Sequence, residues 1–398
     1  MLERLERLPT DPILGLMAAF RGDSDARKVD LGVGVYRDDR GNTPVVRAVA
    51  QAEQAVLARQ NTKTYVAPAG NAGFNQAMER LVLGEDHPAL SAGRVRTIQS
   101  PGGCGAVRLG AEIIRVASPQ TVVHVSSPTW ANHVPLVTGS GLELARYPYF
   151  DASSGTVNFE AMLGAIDQLP ARSVVLLHAS CHNPTGADLS EVQWRELLAV
   201  VKQRGLLPFI DMAYQGLGLG VAEDAFGPRL FSAELPEVLI AVSCSKNFGL
   251  YRERTGALTV VSESSGAADA ALSQLVRIAR SIYSMPPDHG AAIVYEILSK
   301  EELRRSWVEE LSGMRNRIQG LRTELVKRLA VAYPQRSFGY IATQRGMFSY
   351  LGIDTPQVRE LREKHHVYMT DDSRINIAGL STENLAYFAD AVAQVLRK

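Results

Sequence analysis

The chain has 398 residues, and its 42 lysine and arginine residues balance its 42 aspartate and glutamate residues, so the formal net charge at pH 7 is zero. This balance argues against a nucleic-acid partner or an anionic membrane partner, since both select a basic surface. A chain of this length predicts about two domains with an ordinary buried core.

The cysteines and the apolar runs indicate the cellular environment. Cys104, Cys181 and Cys244 are odd in number, widely separated and without metal-ligand spacing, so we expect neither a disulfide framework nor a metal site. The first nine residues alternate acids and bases, unlike a secretory signal. No apolar run approaches the roughly 20 residues of a membrane helix. The sequence predicts a soluble, cytoplasmic protein.

Between about residues 95 and 265, short apolar, β-branched runs alternate with helix-like stretches. This pattern predicts a mostly parallel sheet covered by helices on both faces. Ser190 and Gln193 form a predicted capping box at the start of one helix, and Gly205 is its predicted C-cap. The predicted strands cover residues 121–126, 173–179, 206–211, 238–243 and 257–262.

Beyond residue 300 the pattern predicts one long amphipathic helix that can link two domains. Its apolar stripe recurs every three or four residues, at Leu303, Trp307, Leu311, Met314, Ile318, Leu321, Leu325 and Leu329. A predicted strand at 374–378 and a predicted final helix at 382–396 indicate a smaller α+β unit. The first 40 residues lack a core of their own, and we expect them to pack on that unit.

Lys246 comes just after an apolar strand, behind two serines and ahead of two arginines. An isolated lysine there is typical of a strand end whose ammonium group reaches solvent. The alternative is a lysine whose lowered pKa makes it a nucleophile toward an aldehyde. In that case Ser243, Ser245 and Arg254 form an anion pocket that suits a cofactor phosphate.

Asp211 also ends an apolar strand, at the edge where this type of sheet binds ligands. Alone, it is typical of an aspartate that caps the next helix. Beside a pyridine ring near Lys246, its carboxylate would keep the ring nitrogen protonated, and Tyr214 would lie near the ring hydroxyl. Asn183 lies in a turn that Pro184 and Gly186 account for completely, and the same turn is compatible with donation from Asn183 to a ligand oxygen.

Glycine-rich segments are a weaker signal. Residues 100–108 enter a predicted helix through glycines, which lets backbone N–H groups approach a phosphate. The glycine-rich segments 32–34, 102–105 and 216–220 do not complete G-x-G-x-x-G, which counts against a nicotinamide-dependent dehydrogenase.

Four motifs in fixed order identify a family resemblance. They are Pro-Thr-Trp130-Ala-Asn-His133, Cys-His-Asn183-Pro-Thr-Gly, Asp211-x-Ala-Tyr214-Gln-Gly and Ser-x-Ser-Lys246-Asn-Phe-Gly-Leu-Tyr. With them the chain resembles the class I aspartate and aromatic amino-acid aminotransferases over nearly its full length. The resemblance implies the α/β fold of pyridoxal-phosphate-dependent transferases. It implies a large cofactor-binding domain (44–313) with a mostly parallel seven-stranded sheet between helices, and a smaller α+β domain (1–43 and 314–398).

The resemblance also implies roles for individual residues around pyridoxal 5'-phosphate. Lys246 matches the lysine that binds the cofactor covalently, and Asp211 matches the partner of its ring nitrogen. Tyr214 and Asn183 match donors to the ring hydroxyl, and Trp130 matches the residue stacked on the ring. His133 matches a histidine that supports the aspartate, with His178 nearby. The phosphate positions are Gly103, Cys104, Ser243, Ser245 and Arg254, with Tyr65 reaching from the neighbouring subunit.

The resemblance extends to substrates and partners. Arg374 matches the arginine that binds the substrate α-carboxylate, helped by the backbone N–H of Gly34, with Trp130 and Asn183 lining the same site. Arg280 matches the arginine that the other subunit contributes to bind a distal carboxylate. Without the motifs, a surface ion pair is the default interpretation of either arginine. Amino acids and 2-oxo acids are therefore the expected substrates, and a homodimer is the expected assembly.

The implied reaction moves an amino group from an aromatic or dicarboxylic L-amino acid to 2-oxoglutarate by a ping-pong mechanism. Cys104, Met285 and Thr64 replace residues that aspartate-specific members usually carry, and they favour aromatic or broad substrate use. Val35, Arg37 and Thr43 instead resemble the aspartate-type pattern, so aspartate aminotransferase remains an alternative.

Two further alternatives remain open. A decarboxylase or lyase on the same fold fits less well with two carboxylate-binding arginines. A catalytically silent protein that binds pyridoxal phosphate would usually lack the lysine, and Lys246 is present.

Overall fold

The computed structural model describes residues 1–8 and 11–397. The chain divides into two compact units. The larger unit contains Pro44–Arg317 and Gln344–Gly346, and the smaller unit contains Met1–Thr43, Ile318–Thr343 and Met347–Lys398. Among the described residues, no helix combines the length and the apolar composition that crossing a bilayer requires.

The larger unit is built on a seven-stranded sheet, which confirms the expected α/β class. All five strands predicted between residues 121 and 262 belong to it, with ends shifted by at most two residues. Thr255–Val261 runs antiparallel to both of its neighbours, and the other pairs of adjacent strands are parallel. In spatial order the strands are Val95–Pro101, Thr255–Val261, Val238–Ser243, Leu207–Met212, Val174–His178, Val122–Ser127 and Glu143–Pro148.

Two strands of this sheet were not among the sequence predictions, and both lie at its edges. Glu143–Pro148 has solvent-exposed positions and carries charged side chains at Glu143 and Arg146, so it lacks the continuous apolar run of a central strand. Val95–Pro101 interrupts its apolar residues with Arg96 and Gln99. The fully buried Gln99 is accommodated because its side chain donates to the Pro287 carbonyl at 2.7 Å.

Helices surround the sheet, and their packing requires close approach at specific points. A Cβ atom on Gly110 would lie 2.2 Å from Cζ of Phe209, so the helix Gly102–Ala117 can pack tightly on the sheet only with glycine there. The other helices of this unit are Arg47–Arg59, Ala72–Leu83, Pro88–Ser91, His133–Thr138, Phe159–Asp167, Glu191–Arg204, Phe226–Glu234, Ser265–Ile282 and Asp288–Ser299, with a 3-10 turn at Glu223–Ala225 and a short hairpin of Phe150–Asp151 and Thr156–Val157.

The predicted ends of the helix Glu191–Arg204 are confirmed. The Ser190 hydroxyl accepts from the Gln193 N–H at 3.3 Å, and the Gln193 side chain accepts from the Ser190 N–H at 2.9 Å. Gly205 ends the helix in the left-handed conformation with φ of 61°.

The predicted long helix is also confirmed, over Glu301–Ala332. Every member of the apolar stripe is buried except Leu303, which is half-buried. Trp307 is fully buried: its ring stacks on Phe248 at 4.5 Å, and its indole N–H donates to the Asn247 carbonyl at 2.7 Å.

The smaller unit combines short strands with helices. Val29–Asp30 pairs in parallel with Val367–Tyr368, and Phe348–Tyr350 pairs antiparallel with Arg374–Asn376. Its helices are Pro12–Gly22, Tyr340–Thr343, Thr355–His365 and Leu385–Leu396, with 3-10 turns at Leu2–Arg4 and Ile377–Gly379.

Two predicted boundaries in this unit were wrong. The strand predicted at 374–378 ends at Asn376, because the Asn376 side chain accepts from the Ala378 N–H at 3.0 Å and starts a 3-10 turn. The final helix begins at Leu385 instead of residue 382. Ser381 and Asn384 exchange side-chain to backbone hydrogen bonds of 2.8 and 3.2 Å that stabilise a turn before the helix.

Candidate active site

Lys246 lies just beyond the carboxyl end of the central strand Val238–Ser243 and is half-buried. Its ammonium nitrogen lies 5.1 Å from the centre of the Tyr214 ring. Burial lowers the pKa of Lys246 and the charge of Arg254 lowers it further, while Asp211 and Cys104 act in the opposite direction. A lowered pKa makes the neutral amine, which is the nucleophilic form, more accessible.

Asp211 lies on the neighbouring strand Leu207–Met212 and is only 5% exposed. Its Oδ2 lies 3.0 Å from Nε2 of the fully buried His133. Burial alone would raise the pKa of Asp211, but the hydrogen bond and charge of His133, with His178 and Lys246, lower it below its ordinary value. The carboxylate therefore stays ionised in a buried position.

Further side chains fix the histidine behind this carboxylate. The Thr129 hydroxyl lies 2.8 Å from Nδ1 of His133, so both ring nitrogens of His133 have partners. Thr129 lies within the motif that ends at His133, but the sequence alone predicted no role for it. Its contact with His133 orients the ring that supports Asp211.

A row of histidine rings continues away from Asp211. The His178 ring centre lies 5.1 Å from that of His133 and 4.1 Å from that of His182. His182 contacts the hydroxyls of Ser126 at 3.0 Å and Thr185 at 2.9 Å, and sequence reasoning had assigned it no role. Burial lowers the pKa of His178 to about 3 and that of His182 well below its ordinary value, so both stay neutral near pH 7.

His133, His178 and Asp211 are relevant to the prediction that the protein has no metal site. One ligand atom each from His133, His178 and Asp211 lie within 4.8 Å of one another, a spacing that a metal ion could bridge. The Asp211 carboxylate already accepts from His133, and the absence of a metal stays a prediction.

A second cluster suits a phosphate group. Arg254 lies so close to the start of the helix Gly102–Ala117 that a Cβ on Gly102 would be 2.5 Å from its Nη2 atom. The Arg254 guanidinium also donates to the Ser245 hydroxyl at 3.4 Å, and a Cβ on Gly103 would lie 3.1 Å from the Ser243 Cβ. Unpaired N–H groups at a helix start, an arginine and serine hydroxyls are the donors that bind phosphates.

The remaining predicted residues of this unit flank the two clusters. Trp130 contacts His133 edge to face, with 5.3 Å between ring centres. Cys104 is half-buried, and its sulfur lies 4.0 Å from Nδ2 of Asn132. Asn183 is 7% exposed, in a turn that Gly186 enters with φ of 70°.

Within the smaller unit, Arg374 and Gly34 share a neighbour. The Arg374 guanidinium lies 4.5 Å from the centre of the Phe348 ring and donates to the Gly32 carbonyl at 2.8 Å. A Cβ on Gly34 would lie 2.6 Å from Cζ of Phe348. Asn376 donates to the carbonyls on either side of Gly34, at 2.6 and 2.8 Å. Sequence reasoning assigned no role to Phe348 or Asn376.

Tyr65 and Arg280 are not brought to the Lys246 cluster within this chain. Tyr65 is 89% exposed and lines an open cleft of about 970 Å³ together with Thr64 and Met285. Arg280 is exposed and donates to the Ser284 hydroxyl at 3.1 Å. Neither Lys246 nor Asp211 lines this cleft.

Comparison with known proteins identifies the family. The model of the family "Aminotransferase class I and II" matches residues 26–392 of the chain. An aromatic-amino-acid aminotransferase from Pseudomonas aeruginosa is 47% identical over 392 residues, which is 98% of each chain. An aspartate aminotransferase from the same organism is 42% identical over 396 residues, with complete coverage of both chains.

A solved structure agrees with these sequence relatives. The aromatic-amino-acid aminotransferase from Burkholderia pseudomallei, covalently bound to pyridoxal phosphate, is 45% identical and superposes with a TM-score of 0.97 over 100% of this chain and 99% of that chain. The resemblance found in the four sequence motifs is thereby confirmed. The chain belongs to the class I and II aminotransferases.

Proposed function

We propose that the chain is a pyridoxal-phosphate-dependent aminotransferase that exchanges an amino group between an aromatic or dicarboxylic L-amino acid and 2-oxoglutarate. The observation that carries this proposal is the pairing of two groups at adjacent strand ends. Lys246 has a lowered pKa, and Asp211 is buried but remains ionised. Few reactions need a nucleophilic amine and a buried carboxylate side by side, and amino transfer through a pyridine cofactor is one of them.

The residues present fit this cofactor. When bound, pyridoxal phosphate holds the amino group covalently, and its protonated ring withdraws electrons from the Cα–H bond of the substrate. We assign its ring nitrogen to the Asp211 carboxylate and its ring hydroxyl to Tyr214 and Asn183, with Trp130 against the ring face. The phosphate group is assigned to the donors of Gly103, Cys104, Ser243, Ser245 and Arg254.

Lys246 performs the proton transfers in this proposal. Its neutral amine would take the proton from the substrate Cα, and the resulting ammonium group would then act as the acid that returns it, so that one residue serves as both base and acid. Asp211 keeps the ring nitrogen protonated, because its own pKa lies below its ordinary value. His133 holds the Asp211 carboxylate in place through the 3.0 Å contact, and His178 packs behind His133.

Substrate carboxylates are assigned to arginines. Arg374, with the backbone N–H of Gly34, binds the α-carboxylate, and its planar guanidinium matches a carboxylate in two-point contact. We favour aromatic or broad specificity, because Met285 and Thr64 line the exposed cleft with a thioether and a short hydroxyl instead of amides. The alternative is aspartate aminotransferase, which the 42% identical relative supports.

A homodimer completes the proposed site. The exposed positions of Tyr65 and Arg280 leave both side chains available to a second copy, where they would contact the phosphate and a distal substrate carboxylate. We also propose that residues 44–313 form the cofactor-binding domain and that 1–43 with 314–398 form the small domain. The three free cysteines support a cytoplasmic location.

The test follows the visible absorption of the enzyme loaded with pyridoxal phosphate after addition of L-phenylalanine or, separately, L-aspartate. We expect the absorption to change with release of one equivalent of 2-oxo acid and to recover when 2-oxoglutarate is added. The amino acid that reacts faster identifies the subfamily. Carbon dioxide release without a 2-oxo acid would favour the lyase, and a bound cofactor that no amino acid changes would favour the silent protein.

Variants assign the roles within this test. Lys246→Ala should abolish the half-reaction, and Asp211→Ala should slow it by orders of magnitude, because the ring loses its protonation. Lys202→Ala is a matched control, since Lys202 is an exposed lysine of the same unit that pairs with Glu234 at 3.2 Å. Near-normal activity in either active-site variant would refute the assigned role.

A further inference from the structure

A carboxylate organises the loop that carries Tyr214. Asp224, only 4% exposed, accepts from the backbone N–H groups of Gly216 at 2.8 Å and Gly218 at 2.9 Å through Oδ2, and from that of Leu219 at 2.8 Å through Oδ1. Gly216 has φ of 92°, a conformation that the loop needs immediately after the Tyr214-Gln pair. Three backbone donors converging on one carboxylate fix the path of the chain directly after Tyr214.

A second carboxylate organises the turn that carries Asn183. Asp188 accepts from the Cys181 N–H at 2.7 Å through Oδ2 and from the His182 N–H at 2.8 Å through Oδ1. Cys181 has φ of 52°, which is unfavourable for a residue with a side chain. The turn therefore needs external contacts to hold it, and the two Asp188 contacts act on the residues directly before Asn183.

The two loops are neighbours, and their carboxylates influence each other. The Cys181 sulfur lies 4.0 Å from the Tyr214 carbonyl oxygen, which it contacts as a weak donor. Removal from water raises the pKa of both Asp188 and Asp224, and the charge of Asp224 adds to the rise at Asp188, while Arg345 opposes it. Placing two like charges near each other away from water opposes folding, and the five backbone N–H groups that donate to the two carboxylates offset this cost.

We infer that Asp188 and Asp224 are positioning residues for amino transfer, because they hold the two backbone segments from which Asn183 and Tyr214 reach the same cofactor oxygen. The inference rests on the proposed function, which assigns those two donors to the ring hydroxyl. Neither carboxylate touches the cofactor. Each acts through backbone N–H groups on the residues beside a donor.

The physical consequence concerns the acidity of the bound cofactor. Donors held at the ring oxygen stabilise its deprotonated form, so loosening either donor makes that oxygen more basic. An asparagine in place of either aspartate keeps one acceptor oxygen but turns an NH2 group toward backbone N–H donors. At least one backbone donor then loses its partner, and the segment shifts.

The test is a spectrophotometric pH titration of the enzyme loaded with pyridoxal phosphate, combined with kcat and KM. In Asp188→Asn and Asp224→Asn we expect the midpoint to rise by about 0.5 to 1 pH unit and kcat to fall about 5- to 10-fold, with a smaller change in KM. Tyr214→Phe should shift the midpoint in the same direction and by more. An unchanged midpoint in both asparagine variants would overturn the inference.

Controls separate this role from general stability. Asp354→Asn removes a helix-capping carboxylate of the other unit, which accepts from the Gln357 N–H at 2.8 Å, and it should leave the midpoint unchanged. An equal shift in Asp354→Asn would refute a specific positioning role. If an asparagine variant does not fold, Asp188→Glu and Asp224→Glu keep the carboxylate but displace it by one methylene, and they undergo the same titration. A wild-type protein that shows no visible band from bound cofactor would refute the proposed function instead.

Discussion

The start of the helix Gly102–Ala117 offers a sharp test of the proposed phosphate site. Gly102 has φ of 69°, and a methyl group on it would lie 2.5 Å from Nη2 and 3.0 Å from Cζ of Arg254. Gly102→Ala therefore forces a strained backbone and displaces the guanidinium. Arg254 would lose its contacts to the Ser245 hydroxyl at 3.4 Å and the Tyr251 carbonyl at 3.0 Å.

The magnitude follows from these contacts. The left-handed conformation costs alanine about 1–2 kcal/mol relative to glycine, and the two displaced hydrogen bonds contribute about 1 kcal/mol each. We expect the cofactor-free protein to lose about 3–4 kcal/mol of unfolding free energy. A misplaced arginine weakens a charged hydrogen bond to phosphate, so affinity for pyridoxal phosphate should fall about 10- to 100-fold.

The assay is an equilibrium titration of cofactor-free protein with pyridoxal phosphate, alongside urea unfolding of the same sample. Gly313→Ala is the matched control, because Gly313 is exposed within the helix Glu301–Ala332 and a Cβ there meets nothing within 4 Å. It should gain about 0.5–1 kcal/mol of stability and bind the cofactor normally. Wild-type cofactor affinity in Gly102→Ala would refute the placement of the phosphate beside Arg254.

Three further predictions follow from buried contacts. Trp307→Phe keeps the stacked ring but leaves a buried carbonyl without its donor, so urea unfolding should show a loss of about 1–3 kcal/mol; an unchanged midpoint would contradict this. The pKa of His178, about 3 in the folded protein, lies below about 6.5 for an unfolded histidine. Keeping His178 neutral therefore favours the folded state fully only above about pH 6.5, and this stabilisation is lost as the pH falls toward 3. We expect the unfolding free energy of the wild-type protein to fall by about 2 kcal/mol from this residue between about pH 7.5 and pH 5, and His178→Gln should remove that part of the pH dependence. Phe348→Leu removes the ring 4.5 Å from the Arg374 guanidinium. It should raise KM for amino acids about 3- to 30-fold with little change in kcat. Phe338→Leu removes the ring beside Arg336 instead and should leave KM unchanged.

Secondary structure was predictable where one local rule acts alone. The buried central strands have continuous apolar runs. The helix Glu191–Arg204 starts at the capping box of Ser190 and Gln193 and ends at the left-handed Gly205, so local residues determine both ends. The final helix was predicted three residues too early, because hydrogen bonds between the side chains of Ser381 and Asn384 and each other's backbone N–H stabilise a turn instead. The edge strand Glu143–Pro148 lacks a continuous apolar run and could not be predicted in this way, because it forms through pairing with the neighbouring strand.

The residues of the site also differ in how far the sequence could predict them. Lys246, Asp211 and Asn183 each follow a strand or sit in a motif, so their chemistry is visible in the order of residues. Asp188 and Asp224 are ordinary acids in sequence, and their importance appears only when five backbone N–H groups converge on them. Sequence motifs identify groups that react, because reactive side chains must be of one type. Groups that hold a loop can come from any position that folding brings within hydrogen-bond distance, so they become visible only in the folded structure, and their contacts make the Asp188→Asn and Asp224→Asn titrations the more informative experiments on this enzyme.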